Sequence, residues 1–513
     1  MSSGIDQRAV IDFLGCPRTY GVANVERIET HGNLIFLAGD DAFKIKRAVR
    51  FDYMDFSTLQ TRRVACEREV SLNRKWAPDL YLGCIPITRT NDGSLAFGGK
   101  DDVVEWAVHM RRFDQGDLLS TRAARREVDS QLATELADVV YASHQDADRI
   151  VNPAGIGTYR DLTASICGGL AGSNIPKQDD VSHLKSELER QLARSGAIIE
   201  ERATHGFVRR CHGDLHLANV VLHQGRPMLY DAIEFDDTLA SIDTLYDLAF
   251  LLMDLEFQDL REAANVVLNR YLWRSREKRD LRGLATLPLF QGLRAAIRAR
   301  VTMDRAAQKA SEGRERDIER AQRYLSAALA YVDPPAPALV VIGGLSGAGK
   351  TTLATAIAPR LGAAPGAVHL RSDLERKTLA GVSELVRLPA AAYAPEARQR
   401  VYSSLHEKAQ LVLGGGHSLI VDAVYDSERD RSKLENLAKS LGVSMQGLWL
   451  RADPAIAIAR VAARQGDASD ATPNVVQAQF ARGVGPLSGQ WILLDASTDT
   501  TTTLQAALAA MRL

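Results

Sequence analysis

Cysteine is scarce and scattered. The 513-residue chain holds five, at Cys16, Cys66, Cys84, Cys167 and Cys211, with no C-x-x-C pair. That usage argues against a disulfide framework or a zinc site and fits a reducing compartment. No run approaches the roughly 18 apolar residues that span a bilayer. Met1 to Val10 lacks the apolar core of a signal peptide. Neither sign of charge dominates, since 63 Lys and Arg stand against 64 Asp and Glu. The near-balance leaves no global field for tracking nucleic acid or a membrane. The expected location is the cytoplasm, with no membrane partner. Internal repeats and long low-complexity tracts are also missing.

What is present reads as an ordinary globular composition, 46% hydrophobic and 25% charged, in a chain too long for one core. The clearest boundary is Asp333-Pro334-Pro335-Ala336-Pro337, because prolines at this density cannot continue a helix. It divides residues 1–332 from residues 338–513. The first part begins with strands, expected at Leu34–Leu37 and Ala42–Lys46 around the turn Gly39-Asp40-Asp41. A helix over Thr58–Arg74 and strands near Leu82–Ile87 and Val103–Met110 follow. Helices dominate from about Ser130 to Glu200 and from Leu260 to Tyr331, with Pro288 and Gly313 as expected interruptions.

The segment Cys211-His212-Gly213-Asp214-Leu215-His216-Leu217-Ala218-Asn219 is followed, after a hairpin turning at Gln224-Gly225, by Asp231. Phosphoryl transfer to a hydroxyl needs such a set. One carboxylate orients the acceptor, while an amide oxygen and a second carboxylate hold Mg²⁺ on the phosphates. Asp214 takes the first role, and Asn219 and Asp231 the second. A strand lysine, Lys44 or Lys46, is expected to meet the nucleotide, with Lys44 favoured. Helical Glu69 is its expected partner and Glu67 the alternate. Val108–Phe113, with Met110, suits a hinge carrying adenine. No convincing glycine-rich phosphate loop precedes these lysines, only His31-Gly32-Asn33. Glu234, Asp236 and Asp237 form a modest acidic cluster, suited to a polar acceptor or to capping the next helix.

These residues resemble the aminoglycoside/choline phosphotransferase family. His212, Gly213, Asp214 and Asn219 match its catalytic loop, Asp231 its metal-binding hairpin Asp, and Asp243-Thr244-Leu245-Tyr246-Asp247-Leu248-Ala249 its helix motif. The resemblance covers about residues 30–330. It implies a bilobal, protein-kinase-like α+β domain, with an N-lobe over about 1–110 and a helical C-lobe over 111–332. Asp247 reads as structural.

The second part opens with the strand Ala338–Ile342 and the pattern Gly344-Leu345-Ser346-Gly347-Ala348-Gly349-Lys350-Thr351, then Thr352 and a helix over Leu353–Arg360. This is a P-loop. Its backbone N–H groups wrap a phosphate, Lys350 bridges β- and γ-oxygens, and Thr351 ligates Mg²⁺. Asp373, after a strand at Val368–Leu370, faces an acceptor hydroxyl. Asp422, ending the strand Ser418–Asp422, sits where a Walker-B carboxylate belongs. Arg460 and Arg464, at i and i+4 of the helix Pro454–Arg464, suit a lid closing over phosphates. The segment resembles the P-loop kinases that include gluconate kinase, chloramphenicol phosphotransferase, polynucleotide 5′-kinase and zeta toxins. That resemblance implies an α/β domain with a parallel sheet, Asp373 as acceptor base, Arg371 as a substrate contact, and Arg460 and Arg464 in the lid. Asp467-Ala468-Ser469-Asp470-Ala471 recurs in that lid region.

The expectation is therefore an ATP- and Mg²⁺-dependent phosphotransferase with two nucleotide sites and a small hydroxyl-bearing acceptor. Two alternatives stand beside it. One half acts as an ATP-sensing regulatory module, or the C-terminal half acts on nucleic-acid ends or as a toxin-like kinase.

Overall fold

In a computed structural model that describes residues 7–30, 32–51, 54–99, 102–307, 311–464 and 466–511, the chain divides into two compact units. One comprises Met1–Pro153 with Thr204–Asp254, and the other Ala154–Ala203 with Leu255–Leu513. His31, part of the sequence's nearest approach to a phosphate loop, lies outside the described residues.

The first unit opens with the helix α1 (Arg8–Gly15), which buries Val10 and Leu14. Its sheet contains β1 (Glu26–Glu29), β2 (Asn33–Ala38), β3 (Asp41–Lys46), β4 (Tyr81–Arg89), β5 (Leu95–Phe97) and β6 (Val103–Arg111). The strand order is β1-β2-β3-β6-β4-β5, and every pairing is antiparallel. Helix α2 (Leu59–Asn73) begins at Thr58, whose side chain accepts from the Thr61 N–H at 3.1 Å. Its buried stripe, Arg62, Ala65, Cys66, Glu69, Val70 and Asn73, follows the helical period but mixes charge with apolar surface. Arg62 is matched by Glu105 on β6, with Nε 2.9 Å from both carboxylate oxygens and both side chains sealed from water.

The predicted hairpin forms as β7 (Val220–His223) and β8 (Arg226–Leu229). Its turn puts Gln224 at φ 52° and Gly225 at φ 77°, the left-handed pair that matches strand twist. Helix α3 (Ser130–Asp146) precedes the hairpin, and α4 (Thr244–Phe257) follows it.

In the second unit, α5 (Arg261–Ser275), α6 (Leu287–Ala307) and α7 (Ser311–Val332) precede residues 333–337. Pro288 and Gly313 do not interrupt helices. Both lie in first turns, where proline's missing N–H would have had no helical partner. A Cβ on Gly292 of α6 would stand 2.4 Å from Val332 Cγ1 of α7, so glycine permits the close packing of these two helices. Five parallel strands follow: β9 (Ala338–Gly344), β10 (Val368–Arg371), β11 (Leu419–Asp422), β12 (Ser444–Arg451) and β13 (Trp491–Asp495), in the order β10-β11-β9-β12-β13. Helix α8 (Lys350–Ile357) starts at the P-loop lysine, earlier than the sequence suggests, and ends in the 3₁₀ turn Ala358–Arg360. Val340, Ile342, Leu353, Ile357, Ile420 and Leu448 pack it onto the sheet. No described helix is long and apolar enough to cross a membrane.

Glu105→Ala strands the Arg62 guanidinium without its counter-charge. It should lower the stability of the first unit by about 3–5 kcal/mol, read by urea denaturation, and Glu105→Gln should lose less.

Candidate active sites

Lys44 and Lys46 alternate with inward side chains on β3, and α2 delivers one carboxylate to both. Lys44 Nζ lies 2.9 Å from Glu69 Oε1, and Lys46 Nζ lies 2.6 Å from Glu69 Oε2. Their remaining contacts differ. Lys44 also reaches Asp231 Oδ1 at 2.5 Å, whereas Lys46 pairs with Glu234. The Lys46 side chain is 0% exposed and that of Asp231 39%. Of the two lysines, Lys44 therefore addresses the carboxylate open to solvent. Glu67 turns outward to Arg63 at 2.9 Å. Burial opposes the charge on Lys44, but Asp231 and Glu69 outweigh it and hold the ammonium well above its usual range. Burial likewise opposes ionisation of Asp231, and Lys44 outweighs it, pulling that carboxyl below its usual range.

The loop carrying Asp214 hangs from a buried acid. Asp247 on α4 accepts from the backbone N–H of His212 at 3.2 Å and of Gly213 at 3.0 Å, and His144 Nε2 lies 3.2 Å away. Gly213 needs its glycine: φ is 85°, and a Cβ would meet Ile233 Cδ1 at 2.9 Å. Burial lowers the His212 pKa, and its Nε2 donates to Tyr230 O at 2.9 Å, since a carbonyl oxygen only accepts. Asp254 accepts from Leu217 N at 2.9 Å, fixing the turn that carries Asn219. Asn219 Nδ2 donates to Asp214 O at 2.9 Å and to Asp214 Oδ2 at 3.1 Å. Asp231 adopts φ 61°, and its N–H donates to the Tyr81 hydroxyl at 3.1 Å. Asn73, one turn beyond Glu69, accepts from Ala232 N at 3.0 Å.

The structure thus brings together Lys44, Glu69 and Asp231, and separately joins Asp214 to Asn219. Met110 is buried in β6 opposite Ala42 and Tyr81, and nearby Phe113 sets its ring edge-on to Tyr230 at 5.3 Å. The acidic cluster divides: Asp237 is exposed and Asp236 caps the next helix, as the second of the two expectations had it. Glu234 is buried with Lys46, Asp236 accepts from Thr238 N at 2.7 Å, and Asp237 meets Arg210 at 3.0 Å and also Arg68. Sequence reasoning missed the supporting set of Asn73, Tyr81, His144 and Asp254. Helical spacing from Glu69 is a signal that could have found Asn73; the others carry none.

The P-loop site is built by close backbone contact. Gly344, Gly347 and Gly349 have φ of 145°, 84° and 86°. A Cβ on Gly347 would lie 2.4 Å from Ala457 O, and one on Gly344 would lie 2.7 Å from Leu450 O. Gln479 accepts from the Ser346 N–H at 2.8 Å, and Lys350 Nζ donates to Leu345 O at 3.1 Å. Thr351 Oγ1 donates to Asp422 Oδ2 at 2.9 Å, and His369 Nε2 lies 2.8 Å from the same oxygen. A cavity of about 470 Å³ is lined by Ser346–Leu353 together with Asp373, Asp422, Arg460 and Arg464, among others. Leu345 is buried and lines a smaller apolar hollow with Trp449 and Phe480. Burial depresses the Lys350 ammonium. Burial and then the Asp422 charge push the Asp373 carboxyl up, towards its protonated form. Asp373 does not cap its helix (Ser372–Leu379). Arg371 occupies the N-cap position, and no side chain caps it.

The helix ends at Ala463, one residue short of the expected bound, and Arg464 is its C-cap in extended backbone. Both arginines line the P-loop cavity. Arg460 donates to Ala496 O at 2.7 Å and to Thr498 O at 3.0 Å, which fastens its helix to the loop after β13. Arg464 Nε lies 3.2 Å from Asp467 Oδ2, and Arg371 lies 3.3 Å from Asp467 Oδ1. Asp470 collects Lys377 Nζ at 2.7 Å, the Tyr393 hydroxyl at 2.5 Å and Leu388 N at 3.1 Å. His369, Gln479 and these Asp470 contacts were not foreseen, because each joins residues far apart in sequence.

The phosphotransferase enzyme family matches residues 98–287, and the AAA domain matches residues 339–486. Among solved structures, a choline/ethanolamine kinase family protein from Mesorhizobium loti is 13% identical, with 64% of this chain and 99% of that one covered at a TM-score of 0.36. Aminoglycoside 2'-phosphotransferase-IIIa is 14% identical, with 62% and 99% covered at 0.37. A sugar kinase from Janibacter sp. is 22% identical, with 34% and 95% covered at 0.27. Uncharacterized protein Rv2004c of Mycobacterium tuberculosis and uncharacterized protein Mb2027c of Mycobacterium bovis are each 30% identical over 464 residues, spanning 88% of this chain and 89% of theirs. At 30% identity over 88% of its length, this protein belongs to the family of these mycobacterial chains and carries a phosphotransferase enzyme family domain followed by an AAA domain.

Proposed function

We propose that this protein is an ATP-dependent phosphotransferase with two nucleotide sites, one in residues 1–332 and one in residues 338–513, acting on hydroxyl groups of small polar molecules. The observation that carries the reading is a repeated arrangement. Each site sets a lysine among carboxylates: Lys44 beside Asp231 at 2.5 Å, and Lys350 beside the cavity that Asp373 and Asp422 also line.

Both residue sets suit a polyphosphate with a divalent cation. In the first, Asp231 keeps its carboxylate ionised and open to solvent, and Asn219 carries an amide oxygen on the neighbouring turn. These two would hold Mg²⁺, and Lys44 would meet the phosphates. In the second, the glycines leave the loop backbone bare, Thr351 and Asp422 would hold Mg²⁺, and Lys350 would meet the phosphates. Bound Mg²⁺-ATP supplies the transferable phosphoryl group. Asp214 would orient the acceptor hydroxyl at the first site. At the second, Asp373 would take the hydroxyl proton, and its raised pKa makes it the stronger base for that task. Arg464, which lines the same cavity, would face developing negative charge there.

ATP consumption by the full chain, measured with and without sugars, amino alcohols and short oligonucleotides, tests the reading. Asp214→Asn should lower acceptor-dependent turnover at the first site about 10²-fold or more while nucleotide binding survives. Turnover equal to the parent's would remove Asp214 from the chemistry. Asp231→Ala should instead raise the Mg²⁺ concentration needed, and overlaying Mg²⁺ titrations would count against it as a metal ligand. Lys350→Ala should eliminate turnover at the P-loop site. Turnover at the first site then stays put if the sites work separately, or shifts about 5–150-fold if they are coupled.

A further inference from the structure

Strand β10 stands at an end of the parallel sheet, and its far side would otherwise present bare backbone N–H and C=O groups. Helix α5 covers that side with amide side chains. Asn265 Nδ2 donates to Ala367 O at 3.0 Å and Asn269 Nδ2 to the same oxygen at 3.2 Å, while Asn269 Oδ1 accepts from His369 N at 2.7 Å. One side-chain amide thus offers β10 a donor and an acceptor, as a neighbouring strand would. The fit is close: a Cβ on Gly366 would lie 2.9 Å from Asn265 Nδ2. Arg261 on the same helix donates to Pro359 O at 2.6 Å and to Gly362 O at 3.1 Å.

What makes this more than edge protection is the next bond. His369, whose backbone Asn269 holds, carries its ring to Asp422 Oδ2 at 2.8 Å, the oxygen that also accepts from Thr351. Both side chains are nearly sealed, at 7% and 5% exposure. A carboxylate oxygen only accepts, so His369 Nε2 carries the hydrogen in this contact. The ring therefore fixes which oxygen of Asp422 faces Thr351 and which way the carboxylate plane lies. Helix α5 falls within the segment matched by the phosphotransferase enzyme family, and the P-loop within the segment matched by the AAA domain.

We propose that His369 is a positioning residue for Asp422 and that Asn269 of helix α5 seats it. The P-loop site is then complete only when a helix from the phosphotransferase-matched segment is docked on β10. A hydrogen-bond donor to a metal-facing carboxylate typically sets metal affinity by about 10–100-fold. The proposal rests on the reading of the P-loop as a Mg²⁺-nucleotide site.

The test uses the full chain and ADP as probe. Calorimetric titrations are run with and without Mg²⁺, and Lys350→Ala supplies the contribution from elsewhere in the chain. His369→Phe should raise the Mg²⁺ concentration that half-saturates Lys350-dependent ADP binding by about 10–100-fold, with Mg²⁺-free ADP binding held within about twofold. His369→Gln, which keeps a donor at similar reach, should restore most of the loss. Asn269→Ala should move the Mg²⁺ requirement in the same direction, whereas Arg261→Ala, which removes the bonds to Pro359 O and Gly362 O but leaves both asparagines in place, should not. Equal behaviour of the Phe and Gln variants, a parallel fall in Mg²⁺-free binding, or an unchanged Mg²⁺ requirement in Asn269→Ala would each overturn the proposal. If the Phe variant is recovered unfolded, Asn269→Ala decides alone, since it retains His369 and removes only what seats it. Absence of any Lys350-dependent ADP binding in the unmutated chain would instead sink the P-loop reading itself.

Discussion

A carboxylate sealed from water must be met on each oxygen, and Glu69 meets that condition with Lys44 on one and Lys46 on the other. The consequences spread outward. Lys46 needs a further anion and takes Glu234, and Lys44 needs one and takes Asp231. Strand β3, helix α2 and the residues after the β7–β8 hairpin are thereby tied at one point. In a buried network of this kind each member is costly without the others. A buried ion network is therefore weak evidence of added stability, and removing one member leaves an uncompensated charge. Lys44 is the member facing outwards, because Asp231 is the carboxylate that solvent reaches.

The P-loop site solves a related problem with a different balance of groups. Asp373 and Asp422 line one cavity with Lys350, and the carboxylates diverge in consequence. Burial opposes ionisation of Asp422, but His369, Arg371 and Lys350 outweigh it and hold that carboxyl low. Burial and the Asp422 charge push Asp373 up. Two acids with opposed shifts in one cavity can divide labour. The ionised one suits a cation and the raised one suits a proton.

Local chemistry was legible in the sequence, and long-range pairing was not. The helix read over Thr58–Arg74 forms as α2 between those two residues, Gln224-Gly225 marked a hairpin, and the P-loop glycines marked a strand–loop–helix junction. In each case the signal and the structure lie within a few residues of one another. Glu69 could be named because a strand lysine calls for one helical acid. Its second lysine and Glu234 could not, since no local rule links positions 46 and 234. Helical spacing put Arg460 and Arg464 at one cavity, which both line, but it could not supply their partners, Ala496 O and Thr498 O for Arg460 and Asp467 for Arg464. Asp236 and Asp237 left an acceptor surface and a helix cap both open, because composition shows charge without showing its partners; Asp236 is the cap.

The proline-rich segment shows where composition and packing part. Residues 333–337 break the helical pattern, yet the compact unit that contains them begins upstream and includes α5, α6 and α7. A parallel sheet has two edges, and each must be paired, covered or made unattractive to other strands. At β10 the cover is Asn265 and Asn269, which lie about 70 residues before the linker by the chain numbering. A family boundary drawn at the prolines therefore separates β10 from the groups that satisfy its backbone. The same groups hold His369, and His369 holds Asp422. Here the edge of a sheet and the chemistry of a nucleotide site meet in one strand of four residues, Val368–Arg371, so what stabilises the fold at that edge also sets the geometry of the site.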